Sequence, residues 1–361
     1  MFIKSRERDI MSKVRILNHE VIDQVLDMKQ VIEAVEKVYT LKSVGKTDLF
    51  PMVFYEFERG KADMDIKSGY LKGENIYGLK LVSWFGDNNK LGLPLLYGTT
   101  MIFDSMTGKP IGILNAEHVT GMRTGAAGAI GAKYLARKDS ESLLMVGTGH
   151  QSAFQIAATL IAMDNIKTVR IYSPINRDKA KSLSSMIKEK LEKDFLSKYE
   201  KGTALYESIS KKFDVSFEAV YDIKEAVGKS DIIITATPAR SPLIMKEWVR
   251  KGTHFSCVGA DMEGKQEIDE NIFSTARVYV DDMDQAVNVG ETELPIKKGV
   301  ISKEDIIAEI GDVISGKAIG RTSDDDVTIY DTTSIALQDL MVSKLALEIA
   351  EAKGLGVEVE L

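Results

Sequence analysis

The chain has 361 residues, 44% hydrophobic and 28% charged, which predicts a globular protein of two or three domains with a large core. A net charge of −7 disfavours a nucleic-acid surface, and a single cysteine, Cys257, excludes a disulfide framework within one chain and suits a reducing compartment. The opening MFIKSRERDIMSKVRIL lacks the apolar core of a secretory leader, and no apolar run approaches membrane-spanning length, so the expectation is a cytoplasmic protein without a membrane span.

Taken in order, residues 14–26 predict a short strand and a turn, and Val31, Ile32, Val35, Val38 and Tyr39 recur at helical spacing. Strands are expected at 50–58 and 61–66, then through IYGLKLVSW from Ile76 and over residues 97–103. DSMTGKP at 104–110 reads as a hairpin-type turn before a strand at 111–114. Residues 116–137 form a helix rich in Ala and Gly, the composition of a helix that packs closely on a neighbour. A domain boundary is placed near it.

Residues 142–177, SLLMVGTGHQSAFQIAATLIAMDNIKTVRIYSPINR, then supply strand, Gly-rich turn, helix and strand. This is the first βαβ unit of a dinucleotide-binding domain, although Ser152 stands where the fingerprint has its third glycine. The glycines admit a pyrophosphate to the helix N-terminus. The expected coenzyme contacts are Gly147, Thr148, Gly149, His150 and Gln151 in the turn, with Ser173, Asn176 and Arg177 after the second strand. That strand ends without the carboxylate that would bond a ribose 2′-hydroxyl, and Arg177 could meet a 2′-phosphate. NAD(P) is therefore expected, with NADP favoured over NAD.

Residues 178–200 read as a charged, solvated helix and 221–227 as another. Asp231–Thr235 is an apolar run typical of a buried parallel strand, and Thr235, Ala236 and Thr237 close it where a ligand crevice would lie. Strands at 253–258 and 276–280 follow, with Cys257 read as core, and a last helix covers 334–352. The fold class is α/β: a Rossmann-type doubly wound parallel sheet over 126–329, and an α+β substrate and dimerisation domain from 1–125 and 330–361.

Three charged residues have two readings each. Lys80, among apolar neighbours in GLKLVSW, is an edge residue facing water or a buried functional amine. Arg123, near a helix start, is a surface ion pair or a bidentate carboxylate clamp. Asp261, just past a strand end, is a turn residue or a ligand-crevice residue. The four histidines (19, 118, 150, 254) lack ligand spacing, so no metal site is expected.

Together GLKLV, FDSMTGKPIGILNAEHVTGMRTGAAGA, VGTGHQ, TATPARSPLI and VGADMEGKQEID resemble the ornithine cyclodeaminase/mu-crystallin family over residues 20 to 350. The resemblance implies a homodimer that moves hydride at the Cα–N bond of an amino or cyclic imino acid. It implies that Lys80 assists proton transfer or polarises the reacting group, that Arg123 holds the substrate carboxylate, and that Asp261 is the acid or base that handles water or the amine in cyclodeaminases. Many members carry Pro-Arg where this chain has Pro51-Met52. Lys67 could supply the second cation, and Asp65, on the same strand face, could match the carboxylate that receives a distal substrate amine.

Three functions compete. The favoured one is an NAD(P)-dependent amino-acid dehydrogenase or imine reductase. The alternative is a cyclodeaminase, a lyase forming proline and ammonia with recycled NAD, to which Asp261 and Asp65 lean. A non-catalytic holder of NADPH and a small ligand is the third, and the presence of Lys80, Arg123 and Asp261 together argues against it.

Overall fold

The computed structural model describes residues 13–361, so the leader reading and the start of the 1–125 domain lie partly outside the described residues. Two compact units form, one from residues 13–25, 47–119 and 339–361, the other from 26–46 and 120–338.

The first unit is built on a mixed sheet. Ala62–Leu71, Ile76–Phe85 and Leu96–Asp104 run antiparallel, with Lys67 opposite Lys80 and Lys80 opposite Thr100. Pro110–Asn115 continues the sheet, Lys13–Leu17 joins it in parallel, and Val357–Glu360 closes that edge. Thr47–Leu49 and Val53–Glu58 both pair with Ala62–Leu71 at the other side. The final helix, Ala336–Ala352, covers the sheet from Asp339 onward. A Cβ at Gly112 would come within 2.4 Å of a Leu347 methyl, so helix and strand approach closely there.

Residues 18–26 depart from the expected turn. They form a helix, His19–Val25, whose start is held by Asn18 Oδ1 accepting Val21 N–H at 3.0 Å. The strand expected at 61–66 runs on to Leu71, because its pairing with Ile76–Phe85 continues.

The second unit carries a parallel sheet in the order Ser216–Ala219, Thr168–Tyr172, Ser142–Val146, Ile232–Thr235, His254–Cys257, Thr328–Asp331, Arg277–Val280, Ile306–Glu309. Leu143–Val146 and Ile232–Ile234 are wholly buried, as strands covered on both faces must be. The strand order reverses between Ser142–Val146 and Ile232–Thr235, which opens a crevice at their carboxyl ends. Helix Met28–Ser43 belongs to this unit and buries Val31, Ile32, Val35, Val38 and Tyr39. Phe255, Cys257, Val278, Val280 and Ile329 lie together in its core. Burial pushes the Cys257 thiol well above its ordinary range, so it is inert packing.

Candidate active site

The Gly-rich turn lies at the reversal of strand order. Gly147 has φ +120°, and a Cβ there would meet the Ala236 carbonyl oxygen at 2.6 Å, so only glycine fits. Gly149 has nothing within 4 Å of a Cβ position and faces open space. Helix Gln151–Ala162 starts there with no side chain capping its first turn, leaving N–H groups and the positive end of the helix dipole for an anion. The Gln151 Oε1 atom is buried without a protein partner. Next to the turn, Thr148 Oγ1 donates to Ser173 Oγ at 3.3 Å.

Beyond Tyr172, Asn176 caps helix Arg177–Asp194, its side chain accepting Asp178 N–H. The exposed Arg177 guanidinium stands 5.4 Å from the centre of the Tyr221 ring, a flat cationic surface at the end of the second strand. These residues suit a dinucleotide: glycine where backbone must approach, an uncapped helix start for the pyrophosphate, and no carboxylate at the end of Thr168–Tyr172.

Thr235, Ala236 and Thr237 stand at the carboxyl end of the neighbouring strand. One strand further on, Asp261 follows His254–Cys257. Its carboxylate is 43% exposed and paired with Lys265 Nζ, which also donates to the Gly259 carbonyl at 3.4 Å. Asp261 thus reaches solvent on a short tether.

Arg123 is not a surface ion pair. Nor is it at a helix start: it lies inside helix Ala116–Leu135, is 3% exposed, and its Nη1 donates to Gln338 Oε1 at 3.3 Å. Gln338 Nε2 donates to Tyr39 Oη at 2.6 Å, and Tyr330 Oη donates to Tyr39 Oη at 2.8 Å. A buried chain of neutral groups therefore holds the guanidinium. Burial pushes the Tyr330 hydroxyl well above its usual range, and that of Tyr39 as well, so both stay protonated.

In the first unit the edge reading of Lys80 fails. Its strand is flanked on both sides, and the residue is 3% exposed. An ammonium in the interior needs a counter-ion, and Asp339 Oδ1 supplies one at 3.0 Å. Lys67 stands directly across from Lys80, so the two share a sheet face, and Asp65 lies on it two residues along. Thr100 flanks Lys80 on the other strand, fully buried, its hydroxyl without a protein partner. Met52 is exposed.

Sequence reasoning missed Asp339, Gln338, Tyr39 and Thr100. Asp339 and Gln338 are consecutive in sequence, and a lone polar pair in the first turn of an apolar helix was the available signal. Among the described residues, no cluster of His, Cys, Asp and Glu could hold a metal ion, and no helix is long and apolar enough to cross a membrane.

A model of the ornithine cyclodeaminase/mu-crystallin family matches residues 12–354. The chain is 36% identical over 345 residues to alanine dehydrogenase from Archaeoglobus fulgidus, covering 96% of this chain and 98% of that protein. An archaeal alanine dehydrogenase dimer with bound NAD superposes with a TM-score of 0.84 at 34% identity, covering 96% of this chain and 99% of that one. The Δ1-pyrroline-2-carboxylate reductase of Thermococcus litoralis, solved with NADH and L-proline, gives 0.83 at 30% identity, covering 96% and 100%.

Proposed function

The chain belongs to the ornithine cyclodeaminase/mu-crystallin family, and from that membership we propose that it is an NAD(P)-dependent amino-acid dehydrogenase or imine reductase with net redox turnover. The observation that carries this reading is the buried Lys80–Asp339 pair, a charged amine kept in an apolar sheet at a cost that packing alone does not justify. Its similarity to an alanine dehydrogenase and to an imine reductase supports the net-redox form.

Reduction of a C=N bond takes one hydride at carbon and one proton at nitrogen. The nicotinamide coenzyme supplies or accepts the hydride. Lys80 Nζ, with Asp339 as its counter-ion, gives or takes the proton at the substrate nitrogen. Arg123 binds the substrate carboxylate, its fork set by Gln338. Lys67 adds a second cation for the carboxylate where Met52 cannot, and Asp65 meets any polar substrate end on that face. Asp261 exchanges a proton with water or ammonia, for which its exposure suits it.

The coenzyme is held by Gly147, Thr148, Gly149, His150, Gln151, Ser173, Asn176, Arg177, Thr235, Ala236 and Thr237, within the 126–329 domain. Arg177 beside Tyr221 favours a 2′-phosphate and hence NADP. The structures similar to this one hold NAD or NADH, so use of both coenzymes is the expected outcome.

The remaining domain, from 1–125 and 330–361, binds substrate and forms a homodimer. Strand Val53–Glu58 is exposed throughout, with Phe54, Tyr55 and Phe57 each about half exposed, and Phe85, Leu93, Leu95 and Leu96 add to the apolar surface. A second copy is the occupant proposed, as in the dimeric alanine dehydrogenase. The one buried thiol suits the reducing cytoplasm.

Asp261 and Asp65 keep the cyclodeaminase as the second reading. The purified protein decides between them when incubated with cyclic and acyclic imino acids plus NAD(P)H, and separately with L-ornithine plus NAD⁺. Coenzyme oxidation with an imino acid supports net redox turnover. Ammonia and proline from ornithine without NADH accumulation overturn it. Inactivity on all of these revives the non-catalytic binding protein.

A further inference from the structure

Glu267 lies in the short strand Gln266–Ile268 and is wholly buried. Its two oxygens serve two different loops. Oε1 accepts the Thr237 N–H and the Thr237 O–H, each at 2.7 Å, and Oε2 accepts the Gly259 N–H at 2.9 Å. Thr237 follows strand Ile232–Thr235, Gly259 follows strand His254–Cys257, and those strands are neighbours in the parallel sheet. One carboxylate therefore bridges the carboxyl ends of two adjacent strands, where an open α/β sheet binds its ligand.

Both loops bear residues of the coenzyme crevice. The Ala236 carbonyl, one residue before Thr237, closes on Gly147, and Asp261 stands two residues after Gly259. The fit is tight, since a Cβ on Gly259 would come within 2.4 Å of Glu267 Oε2. Glu291 backs the arrangement from behind: its Oε1 accepts the N–H groups of Glu267 and Ile268, each at 2.8 Å. A core position filled only for packing would take an apolar side chain, because burying a carboxylate is costly. The three donors from two loops are what this acid is there to satisfy.

We propose that Glu267 is a positioning residue for the coenzyme crevice, tying the Thr237 loop to the Gly259 loop and so fixing where Thr237 and Asp261 stand. The proposal rests on the NAD(P)-dependent reading above.

A pH dependence follows. Burial pushes the Glu267 carboxyl above its ordinary range. The titratable groups facing it are acids: Glu291, Cys257 and, behind them, Asp331. Burial and the Glu267 charge push Glu291 well up, so the pair favours holding a proton. A proton on Glu267 turns one accepting oxygen into a donor that faces another donor, and one loop is released. Glu267→Gln builds in the same fault, because its NH2 cannot accept from the second loop.

The test uses the full-length protein with Glu267→Gln, and with Thr237→Val, which removes one donor and leaves the acid intact. Amide hydrogen exchange over residues 235–239 and 257–262 is read without coenzyme, and NAD(P)H binding is read by fluorescence at about pH 6 and about pH 8. Glu267→Gln is expected to speed exchange in these loops about tenfold, with the strand interiors unchanged, and to weaken coenzyme binding about tenfold at the higher pH. The wild-type loss of affinity on acidification is expected to vanish in the variant. Thr237→Val should move exchange and binding in the same direction by less. Wild-type exchange, affinity and pH dependence in Glu267→Gln overturn the proposal, and if that variant does not fold, wild-type behaviour of Thr237→Val does so. Because exchange is read without coenzyme, failure of the wild type to bind NAD(P)H would count against the functional reading and leave the loop measurement standing.

Discussion

Lys80 Nζ donates to Asp339 Oδ1 across 3.0 Å, with side chains 4% and 0% exposed. The partner comes from a helix 259 positions later in the chain, and the residue just before it, Gln338, bonds the other candidate substrate-binding cation, Arg123.

Removing one member of the buried pair should be costly and removing both should not. Asp339→Ala leaves the ammonium without this counter-ion and is expected to lose about 3–5 kcal/mol in urea unfolding. The double variant Lys80→Met, Asp339→Leu should regain most of that stability and none of the turnover. Equal destabilisation by the single and double variants would show that the pair is not coupled.

Arg123→Lys keeps the charge and loses the planar fork. The Michaelis constant for the carboxylate substrate should rise about 10- to 100-fold, with thermal stability little changed. Gln338→Leu, which removes the group that orients Arg123, should raise it in the same direction by less.

Coenzyme binding should separate into shared and selective contacts. Gly147→Ala drives a methyl group against the Ala236 carbonyl at a φ that disfavours alanine, so fluorescence titration should show loss of both NADH and NADPH. Arg177→Ala should weaken NADPH about tenfold and leave NADH unchanged.

Asp331 gives the second unit a stability that falls as pH rises. Burial pushes its carboxyl from 3.8 to about 7. Between those values the folded state holds the proton that the unfolded chain has released. Its contribution is therefore greatest below the lower value, declines by up to about 1.4 kcal/mol per pH unit, and levels off above the higher one. Asp331→Asn keeps an oxygen for the Thr292 N–H and O–H and removes the titration. Its melting temperature relative to wild type should be higher at about pH 8 than at about pH 5. The same difference at both would contradict the shift.

The apolar band on Val53–Glu58 should behave as an interface. Phe54→Asp is expected to convert a dimer to a monomer in size-exclusion chromatography with light scattering, with the far-UV spectrum unchanged.

The nucleotide half of the fold was legible because its signals are local. Continuous apolar runs at 143–146 and 232–234, with Gly147 and Gly149 between strand and helix, can form little else. Strands such as Thr328–Asp331 and Ile306–Glu309 are four residues long and too short for periodicity to separate them from buried loop. The pattern of helix Met28–Ser43 showed an apolar face but not that the face belongs with residues 120–338. Lys80 was ambiguous for a similar reason. Alternation places it on the face of Ile76 and Gly78, and that face is buried only because a distant helix returns to it. Nothing local marks Glu267, Glu291 and Asp331 as buried acids, because the N–H and O–H donors that justify their burial come from elsewhere in the chain.

The most direct test of net redox turnover at the Cα–N bond follows the hydride itself. The protein is incubated with an imino acid and NADH or NADPH carrying deuterium at both nicotinamide C4 positions, and the amino-acid product is analysed by mass spectrometry and NMR. The expected result is one deuterium at Cα for each coenzyme oxidised. An unlabelled product, or coenzyme oxidation without an amino acid, would contradict it.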